Sequence, residues 1–208
     1  MDKKWFAVLV ITLFFVSGKY VRAEDMSFNF ADPKGVNSIS IILDSVLEPI
    51  MGIASGISGN VIFDPATKKA MKGRIVVQAD KIQMANQMMT KVLHSEEWLD
   101  VINFPTIDFD FKEIVSTGSR KDMLYEYIIA GSFTCKGITK EIQIPLNVSY
   151  LPGKLKTRNE KGDGDLLVLR SKFNIQRTAF AIQPEMNPAS VADEIQLNIS
   201  IVGYATKD

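Results

Sequence analysis

The chain is short of the residues on which most catalytic and metal sites depend. Its 208 residues include one histidine, His94, and one cysteine, Cys135. A metal site built from two or three histidines is therefore excluded, and a nucleophile–histidine pair would have to use His94, which we interpret as an exposed helical residue. Cys135 cannot form a disulfide within the chain. It alternates with Gly131 and Phe133 on a predicted strand, which favours a buried, inert thiol.

An excess of either charge is also lacking. The chain has 24 lysines and arginines and 24 aspartates and glutamates, so its formal net charge is zero. Proteins that bind nucleic acid through its phosphates carry a basic surplus, so we expect no nucleic-acid partner. Hydrophobic residues make up 46% of the chain and charged residues 23%, which indicates a folded globular protein.

The N-terminal apolar run is too short to span a membrane. It extends from Trp5 to Val16 after two lysines, whereas a transmembrane helix needs about 20 apolar residues. This pattern is typical of a secretory signal peptide, and Val21-Arg22-Ala23 offers a cleavage site. We therefore predict a signal peptide over residues 1–23, a single domain over 24–208 and a periplasmic or secreted location. An uncleaved membrane anchor is the alternative.

Most of the remaining chain alternates between apolar and polar residues with a period of two. About eight segments follow this rhythm: 38–44, 57–63, 74–80, 107–111, 125–133, 142–148, 167–175 and 195–201. One apolar and one polar face indicate an antiparallel sheet with one side in water, and closing eight strands into a barrel removes every edge. The sequence therefore predicts a mainly all-β fold, an eight-stranded antiparallel barrel, with a β-sandwich as the alternative.

Particular residues are assigned to turns and faces of this barrel. The first hairpin is predicted to turn around Asp64-Pro65 and Gly73. Asp108 and Asp110 could form a catalytic carboxylate pair, but they alternate with large apolar residues. We therefore place both carboxylates on the solvated outer face of a strand.

One segment, between residues 83 and 104, breaks the strand pattern. Apolar side chains recur there at helical spacing and predict an amphipathic helix: Met84, Met88, Met89, Val92 and Leu93. Ser95 followed by two glutamates predicts the start of a second short helix, which Pro105 would end. We expect one or two short helices over one end of the barrel.

The inward face of the predicted barrel is almost free of charge. It consists mainly of large apolar and aromatic side chains: Phe109, Phe111, Tyr125, Tyr127, Phe133, Ile144, Leu146, Phe173 and Ile175. Small barrels can simply be filled by such side chains, so alternation alone leaves a solid core and a ligand cavity equally open. The methionines of the predicted helix favour a cavity, because flexible thioethers suit an adaptable apolar surface.

Three blocks of sequence occur in order along the chain: LHSEEWLDV with FPTIDF over residues 93–109, GSFTCKGITK over 131–140, and FNIQRTAFAI with VADEI over 173–195. Together they resemble the YceI-like family of periplasmic polyisoprenoid-binding proteins, over nearly all of residues 24–208. The resemblance implies a lipocalin-like barrel with helices at one end. It also implies an elongated apolar tunnel for a polyprenyl or quinone tail. Ala179 and Ala181 depart from the family, in which aspartate and glycine are common at these positions.

We therefore expect a non-catalytic protein that binds, transports or stores an isoprenoid lipid. The residues assigned to the ligand are Met88, Met89, Leu93, Trp98, Phe109, Phe111, Phe133, Leu146, Phe173 and Arg177. Arg177 has two interpretations, contact with a polar head group or a brace at the end of the barrel. No metal or cofactor other than the lipid is expected, whereas transient membrane contact and a homodimer are both compatible with the sequence.

Two alternatives to lipid binding belong to different functional classes. One is a packed periplasmic barrel with an interaction or stress-response role and no lipid ligand. The other is a barrel enzyme that acts on a lipid, for which the inward positions offer only tyrosine hydroxyls, Ser171 and Cys135.

Overall fold

Eleven strands join in one antiparallel sheet in the computed structural model, which describes residues 25–67, 71–121, 124–158 and 162–207. The strands are β1 (Met26–Asn29), β2 (Ser38–Ile42), β3 (Met51–Ala54), β4 (Ile57–Phe63), β5 (Met71–Gln78), β6 (Ile82–Met84), β7 (Thr106–Lys121), β8 (Leu124–Cys135), β9 (Ile138–Leu151), β10 (Gly164–Gln176) and β11 (Glu194–Thr206). Two short α-helices are α1 (Gln87–His94) and α2 (Leu155–Arg158), and two 3-10 turns span Ala79–Lys81 and Thr178–Phe180. Neither described helix could cross a membrane. The predicted signal peptide lies outside the described residues.

The strands fill eight positions around a closed barrel, because three positions are built from two short strands each. β1 and β2 lie one after the other along β11, where Asn29 pairs with Tyr204 and Ile39 with Ile199. In the next position β4 pairs with β1 and β3 with β2, and in the third β5 pairs with β4 and β6 with β3. β7 to β11 complete the circuit as a meander. The predicted eight-stranded antiparallel barrel is confirmed.

One end of the barrel is packed solid. Its fully buried side chains are Phe28, Phe30, Val61, Phe63, Met71, Val148 and Leu167. Phe28 and Phe63 pack against Tyr150, and their ring centroids lie 6.2 and 6.4 Å, respectively, from the centroid of the Tyr150 ring. The Tyr150 hydroxyl donates to the buried carboxylate of Asp165 at 2.6 Å, and Lys207 contacts the same carboxylate at 2.9 Å. Aromatic packing and a satisfied buried charge close this end.

Helix α1 covers the edge of β6. Because β7 begins only at Thr106, the edge of β6 that faces away from β3 has no strand partner within the described residues. The Oγ1 of Thr90 accepts from the amide of Met84 at 2.9 Å, and the Nε2 of His94 donates to the carbonyl of Ile82 at 2.8 Å. Side chains of α1 thereby satisfy backbone groups that an open edge would leave unpaired. His94 is half-buried in this role, so the interpretation of an exposed histidine is wrong.

The second helix predicted from Ser95 does not form. Ser95 instead ends α1, since its hydroxyl donates to the carbonyl of Val92 at 2.7 Å. The chain then continues in turns to residue 103, with amides of Trp98 and Asp100 donating back to the carbonyl of Ser95. Within the described residues, this end therefore has one α-helix, α1, together with a single 3-10 turn at Thr178–Phe180. Gly73, expected in the first hairpin turn, lies inside β5.

Candidate functional site

The half of the barrel opposite the packed end is hollow. It contains a cavity of about 670 Å³ that is open at one side. Inward-facing apolar residues from β2, β5, β7, β8, β9, β10 and β11 form its wall, among them Ile39, Ile41, Ile75, Val77, Ile144, Leu169, Ile175, Leu197 and Ile199. The volume falls within the range of about 300–1,000 Å³ that is usual for small-molecule sites. The solid-core alternative therefore describes one end of this barrel and the cavity alternative the other.

The structure brings the predicted site residues together on this wall, with the exception of Arg177. Those that line the cavity are Met88, Met89, Leu93, Trp98, Phe109, Phe111, Phe133, Leu146 and Phe173. Their contact with a ligand stays a prediction. Phe109 and Phe111 meet edge to face with centroids 4.9 Å apart, and Phe133 meets Phe180 in the same way at 5.3 Å. These aromatic pairs hold the wall in a defined shape.

Gly131 makes room for part of this wall. A Cβ atom at that position would lie 2.4 Å from the Phe109 ring and 2.5 Å from the carbonyl oxygen of Asp110. Any side chain on residue 131 would therefore displace Phe109. A glycine on β8 thus fixes where the neighbouring strand places its aromatic ring.

The mouth of the cavity has an apolar rim exposed to solvent. On one side is α1. Asn86 caps its first turn, since the side-chain oxygen of Asn86 accepts from the Met89 amide at 2.8 Å. On another side is the hairpin between β2 and β3, where the Ser45 hydroxyl accepts from the amide of Glu48 at 2.8 Å. Leu47 on the hairpin and Met88 on α1 line the cavity, yet remain 71% and 77% exposed.

Arg177 does not line the cavity, and of its two interpretations the structure favours the brace. Its side chain is fully buried, and the guanidinium donates to five backbone carbonyls: those of Ile182 (2.7 Å), Gln183, Ala192 (3.2 Å), Val191 (3.4 Å) and Met186 (3.5 Å). These residues belong to the loop between β10 and β11, from which Met186 and Val191 reach the cavity mouth. Arg177 is therefore the brace of the mouth loop.

Polar residues in the lining are few, and the burial of one of them, Asp108, contradicts the predicted solvation of its carboxylate. Asp108 is only 5% exposed rather than solvated, and its Oδ2 contacts Arg74 at 3.0 Å and Thr106 at 3.2 Å. The hydrogen bond to Asp108 holds the pKa of Arg74 above its ordinary value. The Oδ1 of Asp108 is buried without a hydrogen-bond partner among the described residues. Asp110, in contrast, keeps 44% of its side chain exposed, as predicted.

The inward groups considered for catalysis are neutral or occupied. Cys135 is buried, as predicted, and lines the cavity, and burial raises the pKa of its thiol to about 12. The thiol is therefore protonated at neutral pH and is a poor nucleophile. The hydroxyl of Ser171 donates to the carbonyl of Pro145. Tyr127 is buried and does not contribute to the cavity lining.

Sequence reasoning missed the two loops at the mouth. Leu47, Glu48 and Ile50 come from the hairpin after β2, and Ser190 from the loop before β11. Neither loop has a periodic pattern, so no signal connected it with the barrel interior. The alternation of Ile39 and Ile41 was visible, but nothing in it separates a cavity wall from a packed core.

Comparisons with known proteins agree with this architecture. A family model described as YceI-like domain matches residues 36–203. A UPF0312 protein of Yersinia enterocolitica is 26% identical over 158 residues, which cover 76% of this chain and 75% of that protein. Protein YceI of Salmonella arizonae is 23% identical over 158 residues, again 76% of this chain and 75% of the relative.

Two solved structures share the fold. Burkholderia cenocepacia BcnA superposes with a TM-score of 0.67 and 20% identity, covering 80% of this chain and 95% of that one. A polyisoprenoid binding domain from Saccharophagus degradans, implicated in plant cell wall breakdown, superposes with a TM-score of 0.61 and 10% identity. This second match covers 88% of the present chain and all of the other.

Proposed function

The chain belongs to the YceI-like domain family, and we propose that it binds the tail of an isoprenoid lipid, of polyprenyl or quinone type, in the hollow half of its barrel. The observation that carries this proposal is an apolar cavity of about 670 Å³ with an open, apolar mouth. Each CH₂ group moved from water into such a cavity contributes about 0.8 kcal/mol, so a long tail needs few polar contacts. The polyisoprenoid binding domain from Saccharophagus degradans, which has the same fold, supports the choice of tail.

The proposed role is carriage or storage rather than catalysis. A protonated Cys135 and a hydrogen-bonded Ser171 offer no activated nucleophile beside the tail. We propose no cofactor in addition to the lipid. Binding without chemistry would make the protein a container that protects an insoluble chain from water.

Transient contact with a membrane is part of the proposal, because a lipid must enter and leave. Val46 and Leu47 at the tip of the hairpin are 86% and 71% exposed, and Met88, which lines the same cavity as Leu47, is 77% exposed. An exposed apolar rim around a lipid cavity suits brief insertion at a bilayer surface. The signal peptide predicted over residues 1–23 would deliver the protein to the periplasm or outside the cell.

Mass spectrometry of organic extracts from protein purified without detergent tests the proposal, with native mass spectra of the same sample. A stoichiometric isoprenoid species is the expected result. Protein that is empty and takes up neither a polyprenol nor a quinone when offered them would refute it. That outcome would direct the search to protein partners.

A pair of neighbouring variants locates the site. Phe173 lies on the cavity wall and is half-buried, whereas Asn174 is exposed on the opposite face of β10. Phe173→Asp places a carboxylate in the apolar wall and should weaken binding of a polyprenol at least about tenfold. Asn174→Asp introduces the same charge outside the barrel and should leave binding unchanged. Equal binding by both folded variants would place the lipid elsewhere.

A further inference from the structure

The charged residues that line the cavity are all acidic. Within the described part of the chain, the lining residues include Glu48 and Asp108, the second of which turns its carboxylate towards Arg74, but no lysine, arginine or histidine. Glu48 lies at the exposed tip of the β2–β3 hairpin, and its side chain has no ion-pair partner among the described residues. A lipid head that stops at the mouth would therefore meet a carboxylate and no cation from the lining.

Two arginines close to this wall, Arg177 and Arg74, are already engaged. Arg177 donates to the backbone of the mouth loop, is fully buried and does not line the cavity. Arg74 lies on the outer face of β5, where it contacts Asp108 at 3.0 Å and Asp110 at 3.8 Å. Turning either guanidinium towards a ligand would break these contacts and leave buried acceptors unpaired.

An anionic head group would consequently lose hydration without gaining a partner. Phosphate and carboxylate binding sites usually supply arginine, lysine or a helix N-terminus, and each such donor offsets the cost of desolvation. The first turn of α1 at the mouth is capped by Asn86, and the charged lining side chain at the mouth is the carboxylate of Glu48, which repels a second anion. An alcohol or quinone head has no charge to desolvate and can remain partly in water at the rim.

We propose that the cavity selects lipids with uncharged head groups and rejects polyprenyl phosphates and fatty acids, with Glu48 as a specificity-determining residue. The inference rests on the proposed function, because it concerns the head of a lipid whose tail occupies the same cavity. It identifies the ligand class as prenols or quinones. It also predicts that, among lipids with tails of equal length, the charge of the head group decides which lipids bind.

The test compares two probes with one tail, geranylgeraniol and geranylgeranyl phosphate, by native mass spectrometry and by competition against a bound quinone at low ionic strength. The unmodified protein should prefer the alcohol at least about tenfold. Glu48→Lys should reduce that preference about fivefold, because it replaces repulsion with attraction at an exposed site. Glu113→Lys makes the same charge change on the outer face of β7, where Glu113 is exposed, and should leave the preference unaltered.

Each outcome separates this inference from the function on which it rests. If neither probe binds, the proposed function fails. If the phosphate binds as tightly as the alcohol, lipid binding stands and charge selection is overturned. If both lysine variants change the preference equally, the effect belongs to net charge and Glu48 loses its assigned role.

Discussion

Replacing Arg177 with methionine should loosen the mouth loop while leaving the barrel wall in place. Arg177 is fully buried, and its guanidinium spans carbonyls at both ends of the loop between β10 and β11. The bond to Ile182, at 2.7 Å, is buried, and the bond to Ala192, at 3.2 Å, is partly so. Methionine fills similar space but donates no hydrogen bond, so these carbonyls lose their partner.

The expected loss follows from those bonds. A buried carbonyl without a donor costs about 1–3 kcal/mol, which applies to the carbonyl of Ile182. The other four bonds are partly buried, so their carbonyls can be partly hydrated, and together they contribute roughly as much again. Methionine also removes the cost of burying a cation, which brings the net destabilisation to about 2–4 kcal/mol. That is a large share of the 5–15 kcal/mol by which folded domains are usually stable.

Urea unfolding followed by circular dichroism measures this change, and uptake of a polyprenol by the folded variant measures the site. Arg177→Lys is the matched control, because it keeps the charge but cannot span carbonyls on both sides of the loop. It should lose nearly as much stability as the methionine variant. A methionine variant that unfolds at the same urea concentration as the unmodified protein, but no longer takes up lipid, would refute the brace and restore a direct contact with the ligand.

Two further predictions concern the two ends of the barrel. Ala181 has a left-handed backbone with φ of 51°, so Ala181→Gly should relieve backbone strain. After deduction of the extra entropy that glycine gives the unfolded chain, we expect a gain of about 0.5–1 kcal/mol in the free energy of unfolding. An unchanged or lowered urea midpoint would contradict this. Burial alone would raise the pKa of Asp165, but hydrogen bonds from Tyr150, the Gly153 amide and Lys207 outweigh it and hold the pKa below its ordinary value. This stability is present above the unfolded pKa of about 3.9 and is lost as pH falls through the folded value. The Asp165→Asn variant should therefore be less stable than the unmodified protein near pH 7 and lose less stability on acidification to about pH 3. Parallel curves of stability against pH for the two proteins would show that Asp165 does not contribute to the pH dependence.

The barrel could be predicted from sequence because its longer strands have one wet and one dry face. β8, β9, β10 and β11 each contain at least 12 residues, and their alternation is unmistakable. β1, β3 and β6 have four, four and three residues, which is too short for a period of two to be recognised. The number of strand positions around the barrel was therefore predicted correctly, but the division of three positions into two short strands each was not.

Gly73 shows a second limit of pattern reasoning. A glycine near Asp64-Pro65 indicates a turn, yet Gly73 pairs with Val61 inside the β4–β5 ladder. Its φ is 136°, and a Cβ atom would lie 2.1 Å from the carbonyl oxygen of Asn60. The residue is required by close approach of two backbones, which depends on how the barrel coils and leaves no trace in the local sequence.

The same limit applies to the candidate site, whose residues could be assigned to the barrel interior although the cavity itself could not be predicted. Phe109, Phe133 and Phe173 were assignable because alternation and the family resemblance both place them inward. Neither signal could show that these rings border a cavity while Phe28 and Phe63 are packed, since all five are aromatic residues on strands. The difference arises from their position along the barrel, where the Tyr150 ring fills the space between the latter two.

A brace was one of two interpretations of Arg177, and the sequence could not decide between them. Its acceptors are carbonyl oxygens, which every residue has, and they lie five to fifteen positions further along the chain. Only the folded loop shows that these oxygens converge on one guanidinium. In the sequence, a cation that is held by backbone groups alone is therefore indistinguishable from one that contacts a polar head group.

The packed half of the barrel contributes stability that the hollow half lacks. A wall with space behind it forgoes the contacts that a filled core would make, so the hollow half contributes less to stability per residue than the packed half. The aromatic cluster around Tyr150 supplies dense packing at one end, and at the other Arg177 and α1 hold the mouth by hydrogen bonds to backbone groups rather than by filling the interior. The mouth is thus stabilised without obstructing the cavity. An apolar wall kept open in this way is complementary to an apolar occupant, since only such a ligand restores the missing contacts without burying an unpaired polar group.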